Sequence, residues 1–378
     1  MTALYMYKKQ SMQNMVRVGI IGTNWGGKVQ TPIFRAAGLE VVAIYSRNIS
    51  KAQKLCESMK VKYAFDSVEE LCSCPEVDVV SITSPTHLHA QHALIALRAG
   101  KHVLSDKPGG STVLEVEEML EEAAKRTNQF AIIDHEMRFT PAVQAARKAI
   151  FLDKLIGDIR HFDSHQMMNF NSFGRNHVWW NEREKGGGIL GAAGVHYIDQ
   201  LHYIMGQKIT HVNALTETFV KEKRMHPKQW KTKEDETKML PCTAEEYVAA
   251  QFRCNGGALG TLSITGVMIG QSGGTTYFNG TKGSAKLTGR SLIVYDSKGD
   301  IITQTDDDKI PEDLRRVAGD HAGAPALGTF NIAVAIRDFL DGNDQALNDA
   351  CSFADALYNQ KVMEAIHLSN ESMSLSRL

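Results

Sequence analysis

From Val16 onward, short apolar runs alternate with helical stretches long enough to cross back over a sheet, and that alternation admits few folds. "VRVGIIG" ends in glycine, "VQTPIFRAAG" has helical spacing, and "LEVVAIYSR" is a second buried run, which together make a β-α-β unit. A helix over residues 49–58 follows. Then come the strand "VDVVSIT", the helix "HLHAQHALIALRAG", the strand "KHVLSDK", the helix "VLEVEEMLEEAAKRT" and the strand "QFAIIDH". Strands joined by such crossovers pair in parallel, so residues 16–140 are expected to form an α/β domain around a doubly wound parallel sheet.

After about residue 150 the pattern changes. "DIRHFDSHQMMNF", "YVAAQFRCNGGALGTLSITG", "TTYFNGTKGSAKLTG" and "SLIVYDSKGD" read as strands broken by Gly, Asn and Asp turn signals, the mark of an antiparallel sheet. Residues 141–378 are therefore expected to form a second α/β domain. Its helices over 329–340 and 353–367 are free to pack back on the first. "KEKRMHPKQWKTKEDETKM" reads as a solvated loop. Residues 1–15 lack a clear period and read as a loose extension.

Charge and cysteine usage remove several classes of partner. A formal net charge of -1 and a pI of about 6.9 give no field for attracting polyanions, which argues against nucleic acid. No apolar stretch approaches the roughly 20 residues of a membrane span. The six cysteines show no paired framework and read as reduced thiols inside a cell.

The first chemical signal is "GIIGTNWGGKVQTP", between a buried strand and a helix. A dinucleotide fingerprint needs a glycine for the turn, a second residue where the backbone nears the pyrophosphate, and a third where the helix packs on the strand. Gly22, Asn24 and Gly27 take those places, Asn being the non-glycine residue that best tolerates positive φ. The expected cofactor cradle is Gly22, Thr23, Asn24, Trp25, Gly26 and Gly27; an ordinary tight turn would read the same way. After the second strand, "IYSRNISK" places Ser46 and Arg47 where NAD would need a carboxylate for its ribose hydroxyl, so NADP is favoured over NAD.

These residues, with "SPTHLHAQHALIALRAGKHVLSDKP", "MRFTP", "GGGILGAAGVHYID" and "FNGTKGSAKL", resemble the Gfo/Idh/MocA oxidoreductase family, nearest its glucose-fructose-oxidoreductase-domain-containing branch. The resemblance spans about residues 16 to 370. It implies a Rossmann domain followed by a domain with a large, open, mainly antiparallel sheet. The outer face of that sheet implies a homodimer or higher homo-oligomer. The family's Glu-Lys-Pro motif falls on Asp106, Lys107 and Pro108, with Lys107 as the catalytic lysine, and the Lys107-Pro108 bond is a candidate for cis. Thr83, Pro85 and His89 match cofactor-lining positions. His87, His89 and His92 lack a helical i, i+4 pair, so no metal is expected.

In "EKGGGILGAAGVHYID", the glycines Gly186 to Gly188 are expected to start a helix whose free N–H groups face a cleft. Ala192, His196 and Asp199 then share one face, and many relatives carry an aspartate at the place of Ala192. His196 is the second candidate catalytic residue, or else a structural histidine. Arg138, Asn176, Trp179, Trp180 and Asp199 are candidate substrate contacts, although Glu136 and Arg138 of "HEMRFTP" can equally line the cleft or hold the domains together and the tryptophans can be core anchors.

The expected activity is hydride transfer between nicotinamide and a hydroxyl or carbonyl carbon of a sugar, polyol or related small molecule. A dinucleotide-binding sensor or scaffold without turnover is the alternative. Ser376-Arg377-Leu378 resembles the S-K-L address. In a eukaryotic source it implies a peroxisome-like organelle, and otherwise the protein is expected in the cytoplasm.

Overall fold

The computed structural model describes residues 15–170, 174, 176–305 and 310–378. The extension expected over residues 1–15 lies almost wholly outside them. The first sheet runs in the order Cys351–Ser352, Ala131–Asp134, His102–Asp106, Val79–Ile82, Arg17–Ile21, Glu40–Tyr45 and Tyr63–Phe65. All neighbours are parallel except Cys351–Ser352, which joins the edge antiparallel. Ile21 pairs with Ile82, so the central strands end side by side and their connections leave in opposite directions. A crevice opens there, at the carboxyl edge of the sheet.

Local chemistry places the helices that flank this sheet. The Asn48 side chain caps Ile49–Met59 by accepting from the Lys51 amide, and Thr112 with Glu115 forms a capping box for Val113–Ala124. The helix expected at "VQTPIFRAAG" begins earlier, as a wide π turn over Trp25–Gln30 that runs into Thr31–Ala36. The strand Tyr63–Phe65 and the helix Val68–Ser73 are additions to the expected elements, because three and six residues are too few to print a period.

The second sheet has nine strands, in the order Ile301–Thr305, Leu292–Asp296, Gly283–Thr288, Gly273–Gly280, Ile159–Met167, Leu259–Thr265, Tyr247–Cys254, Ile209–Glu217 and Ser376–Arg377. Only Ile159–Met167 and Leu259–Thr265 pair in parallel. Its inner face supplies Phe162, Val212, Val248, Phe252, Leu262 and Phe278 to one core with the helices Pro141–Arg147, Val195–Met205 and Phe353–Ser372. The expected loop "KEKRMHPKQWKTKEDETKM" holds one short strand, Glu222–Met225, and ends as a second, Met239–Pro241, begins. With Asn176–His177 they make a small third sheet.

The C-terminal region binds the two halves together. Helix Ala324–Leu340 packs on Thr31–Ala36 and on the turn Glu136–Phe139, and helix Phe353–Ser372 spans from Val113–Ala124 to the strand Ile209–Glu217. The crossing near residue 140 is thus the first of several. The tail is not the free end expected of an exposed address: Ser376 pairs with Val212, Arg377 pairs with His211, and the Leu378 amide donates to the Thr210 carbonyl at 2.9 Å. A receptor reading those three residues would first have to open that pairing.

Candidate active site

The glycine turn follows Arg17–Ile21 directly. Gly22 has φ 136°, a region that side chains avoid, and the Thr83 side chain fills the space where a Cβ would stand on Gly22 or Gly26. Thr83 is fixed by its own bonds to the Ile21 carbonyl, from its amide at 2.8 Å and its hydroxyl at 3.1 Å. The ends of the two central strands are thereby locked together. Asn24 does not use the positive φ expected of it: its φ is −92°, because Gly22 has already made the turn.

Asn24, Trp25, Thr83, Ser84, Pro85, Thr86, His89, Asp106, Lys107 and Pro108 line one cleft together with Trp179, Trp180, Gly186 to Gly188, Gly191 and Ala192. Both domains contribute to it. His89 is 1% exposed and ties two of its loops, with one ring nitrogen 2.8 Å from the Pro108 carbonyl and the other 2.7 Å from that of Ser84. The Lys107-Pro108 bond is cis. Asp106 does not pair with the lysine ammonium; its carboxylate accepts from the Lys107 amide at 2.8 Å. Lys107 Nζ instead donates to the Ala192 carbonyl at 2.5 Å. This shape and donor set suit a dinucleotide: a turn with no room for side chains, a strand-end threonine and a lysine at the domain junction.

The triple glycine has a different reason from the expected one. Gly188 has φ 95°, and a Cβ there would strike the Glu245 carboxylate. Glu245 also takes the first helical amides, Ile189 N donating to its carbonyl at 2.8 Å and Leu190 N to its Oε1 at 3.0 Å. Those two N–H groups therefore do not face the cleft. Burial pushes the Glu245 carboxyl up to about 7. Nothing in "PCTAEEYVAAQF" marks this residue, since its partner lies 55 positions away.

Residues Leu190–Gly194 are π-helical before the α-helix Val195–Met205, and of Ala192, His196 and Asp199, expected on one face, Ala192 alone lines the cleft. Ala192 offers a carbonyl to the cleft. His196, 13% exposed by side chain, sits behind the wall, with Nε2 3.8 Å from Glu136 Oε1 and its ring edge-on to His135 at 5.4 Å. Burial, then Lys107 and His135, holds its imidazole well below the usual range.

Asp199 and Arg138 are not in the cleft. They form a buried two-pronged pair, with 2.7 Å from Arg138 Nε to Asp199 Oδ2 and 2.7 Å from Nη2 to Oδ1, and Asn359 adds a third bond at 2.8 Å. The guanidinium also reaches the Ala350 carbonyl at 3.3 Å, so the pair joins the crossing segment, the second domain and the returning chain. Asn176 is likewise remote, its strand paired with Arg224 of the small sheet. Trp179 and Trp180 do line the cleft, as an edge-to-face pair 5.3 Å apart.

Among the described residues, the metal-competent grouping is His135, Asp199 and Cys351, not the histidines near residue 90. Both Asp199 oxygens are already bonded to Arg138, which supplies the positive charge there. Beneath Lys107 lies a network that the sequence did not reveal. Ser81 donates to Gln30 at 2.7 Å, and Gln30 donates to Asp134 at 2.9 Å. Burial and then Asp106 push the Asp134 carboxyl up to about 7.

Residues 16–134 match the oxidoreductase family with an NAD-binding Rossmann fold, and residues 143–286 match the GFO/IDH/MocA C-terminal domain. An uncharacterized oxidoreductase of Synechocystis is 32% identical over 280 residues, covering 74% of this chain and 73% of that one. The glucose-fructose oxidoreductase domain-containing protein 2 of Xenopus laevis is 25% identical, over 96% of this chain and 93% of that one. Among solved structures, apo levoglucosan dehydrogenase superposes with a TM-score of 0.81 at 23% identity, covering 97% of this chain and 99% of that one. A super-repressor mutant of Gal80p from Saccharomyces cerevisiae superposes with a TM-score of 0.78 at 20% identity, over 96% of this chain and 98% of that one. A nicotinamide-binding domain and a sheet domain of this type, matched in order along the chain, make the protein a member of the Gfo/Idh/MocA oxidoreductase family.

Proposed function

We propose that the protein transfers a hydride between a nicotinamide cofactor and a hydroxyl or carbonyl carbon of a sugar, polyol or related small molecule. The observation that carries this reading is Lys107 on the wall of a two-domain cleft, beside the glycine turn and facing Trp179 and Trp180. Bound nicotinamide supplies or accepts the hydride. Lys107 bonds the substrate oxygen and stabilises charge on it, the tryptophans offer faces for a sugar ring, and His196 exchanges the proton of that oxygen. A 340 nm absorbance trace over a sugar and polyol panel tests the reading. Cofactor reduction with one or more members is expected, whereas tight dinucleotide binding with no reduction across the panel favours a sensor.

The cofactor we propose is NADP. Arg47 is exposed at the end of the second strand, and the Lys51 ammonium is lowered by burial and then by Lys228, Lys28 and Arg47, so four cations gather there. Arg47→Ala is expected to weaken NADP binding about 10- to 100-fold, as loss of one charge-assisted phosphate contact would, with NAD binding nearly unchanged. Equal losses for both in calorimetry would refute it.

Self-association through the large sheet is also proposed. Met167, Leu215, Leu259 and Tyr277 are exposed on its outer face, 41–56% accessible. Light scattering is expected to give at least a dimer mass, and Leu259→Glu with Tyr277→Glu should shift it toward monomer. A monomeric parent chain excludes this assembly.

A further inference from the structure

Glu136 begins the 3₁₀ turn at the domain crossing and is 7% exposed. Its backbone is fixed from behind, since helix Ala324–Leu340 presses Gly328 against the Glu136 carbonyl so closely that no side chain fits. Its carboxyl points at His196, Oε1 to Nε2 at 3.8 Å, while the other imidazole nitrogen is buried without a hydrogen-bond partner among the described residues. An acid and an imidazole have thus been buried together. His196 follows Ala192 of the cleft wall by four positions, the Ala192 carbonyl holds Lys107 Nζ, and the Lys107 charge acts on both Glu136 and His196, so the pair adjoins the lysine that would meet a substrate oxygen.

We propose that Glu136 is the proton partner of His196, storing the proton that the imidazole delivers to, or recovers from, the substrate oxygen. The proposal rests on the oxidoreductase reading above. In the reducing direction the Glu136 O–H proton moves to His196 Nε2. The resulting imidazolium gives one proton to the carbonyl oxygen as the hydride of a reduced nicotinamide reaches the carbonyl carbon. Glu136 is left as a carboxylate facing the Lys107 cation, and solvent later returns its proton. The oxidising direction runs these transfers backward, and the proton from the alcohol ends on Glu136.

The surrounding charges fit that storage role. Glu136 faces Asp134, Asp106 and Lys107; His196 faces Lys107, His135 and Asp199. Burial, then Asp134, raises the Glu136 carboxyl well above the usual range, while His196 is held well below its own. Both shifts run in the direction that favours the proton on the carboxyl over the imidazole. Moving it to the imidazole costs less than charging a histidine with no acid beside it, because the two new charges attract across a dry site.

Nuclear magnetic resonance on the full chain, with nitrogen-15 histidine and no substrate, tests the proposal. His196 is assigned by the signals lost in His196→Asn. In the parent chain the His196 nitrogens are expected to show a titration step at the pH where Glu136 ionises, above the ordinary carboxylate range near 4. Glu136→Gln should abolish that step, and Glu136→Asp should retain it at a shifted pH. Adding Ala192→Asp to Glu136→Gln should restore a step by placing a new carboxyl one turn before the histidine. A purely structural Glu136 would lower the melting temperature and leave the His196 signals unmoved. Identical His196 titrations in the parent and Glu136→Gln, or in the parent and Glu136→Asp if the first does not fold, overturn the proposal. A titration step that depends on Glu136 in a chain with no turnover would overturn the oxidoreductase reading and leave the proton pair standing.

Discussion

Arg138→Ala is expected to destabilise the protein by about 3–5 kcal/mol, the usual cost of leaving one member of a buried ion pair without its partner. Asp199, 1% exposed, would lose two of its three hydrogen bonds and the cation that offsets its charge. Removing both partners should cost much less. Arg138→Met with Asp199→Leu is expected to recover more than half of the loss, since no charge then remains buried. Scanning calorimetry compares the three chains, and a drop below about 1 kcal/mol for Arg138→Ala would show that solvent reaches the site.

The same pair carries a pH signature. Burial alone would raise the Asp199 carboxyl, but the Arg138 guanidinium outweighs it and holds the group well below the usual carboxylate range. A carboxyl depressed by folding adds stability that is present above its unfolded value near 4 and is lost as pH falls through the folded value. Part of the parent's acid sensitivity below about pH 4 should therefore disappear in the double variant.

Lys107→Met is expected to lower turnover of a responding sugar or polyol by roughly 10² to 10⁴, with dinucleotide affinity changed only a few-fold. Lys107 touches the cleft directly, and no other lysine among the described residues lines it. His196→Asn should fall in the same range if the imidazole moves the substrate proton. A loss with Lys107→Met alone would leave the lysine acting without the histidine. Ala192→Asp gives the pH arm, because a carboxylate one turn away raises the histidine and moves the optimum upward. An unchanged turnover in Lys107→Met, measured per folded molecule, would remove the assignment.

Several features were legible because they depend on neighbours in sequence. The parallel sheet follows from runs such as "VDVVSIT" and "EVVAIY": strands buried on both faces must be mainly apolar, and Glu40–Tyr45 is apolar and buried from Val41 to Ile44. The turn at Gly22 was readable because only glycine takes its φ of 136° freely. Lys107 was placed by standing at the end of His102–Asp106, where the crevice of such a sheet opens.

Other features depend on which distant groups meet, and no local pattern encodes that. Arg138, Asp199 and Asn359 come from three separated segments, so polar residues that looked free to bind a substrate were already committed to one another. Glu245 meets Leu190 across 55 positions, which reassigned the helix amides expected to face the cleft. The cleft wall takes Ala192 but neither His196 nor Asp199, a division that the helical period of the sequence does not show. The tail Ser376–Arg377 reads as a free end until an unpaired edge, Ile209–Glu217, is placed beside it. The sequence by itself determined the sheet types, the glycine turn and Lys107, since backbone geometry and burial of continuous runs are local demands. Only the tertiary structure decided which charges are spent on holding the domains together and which face the cleft, because burial makes an unpaired charge too costly to leave alone and pairing is settled in space.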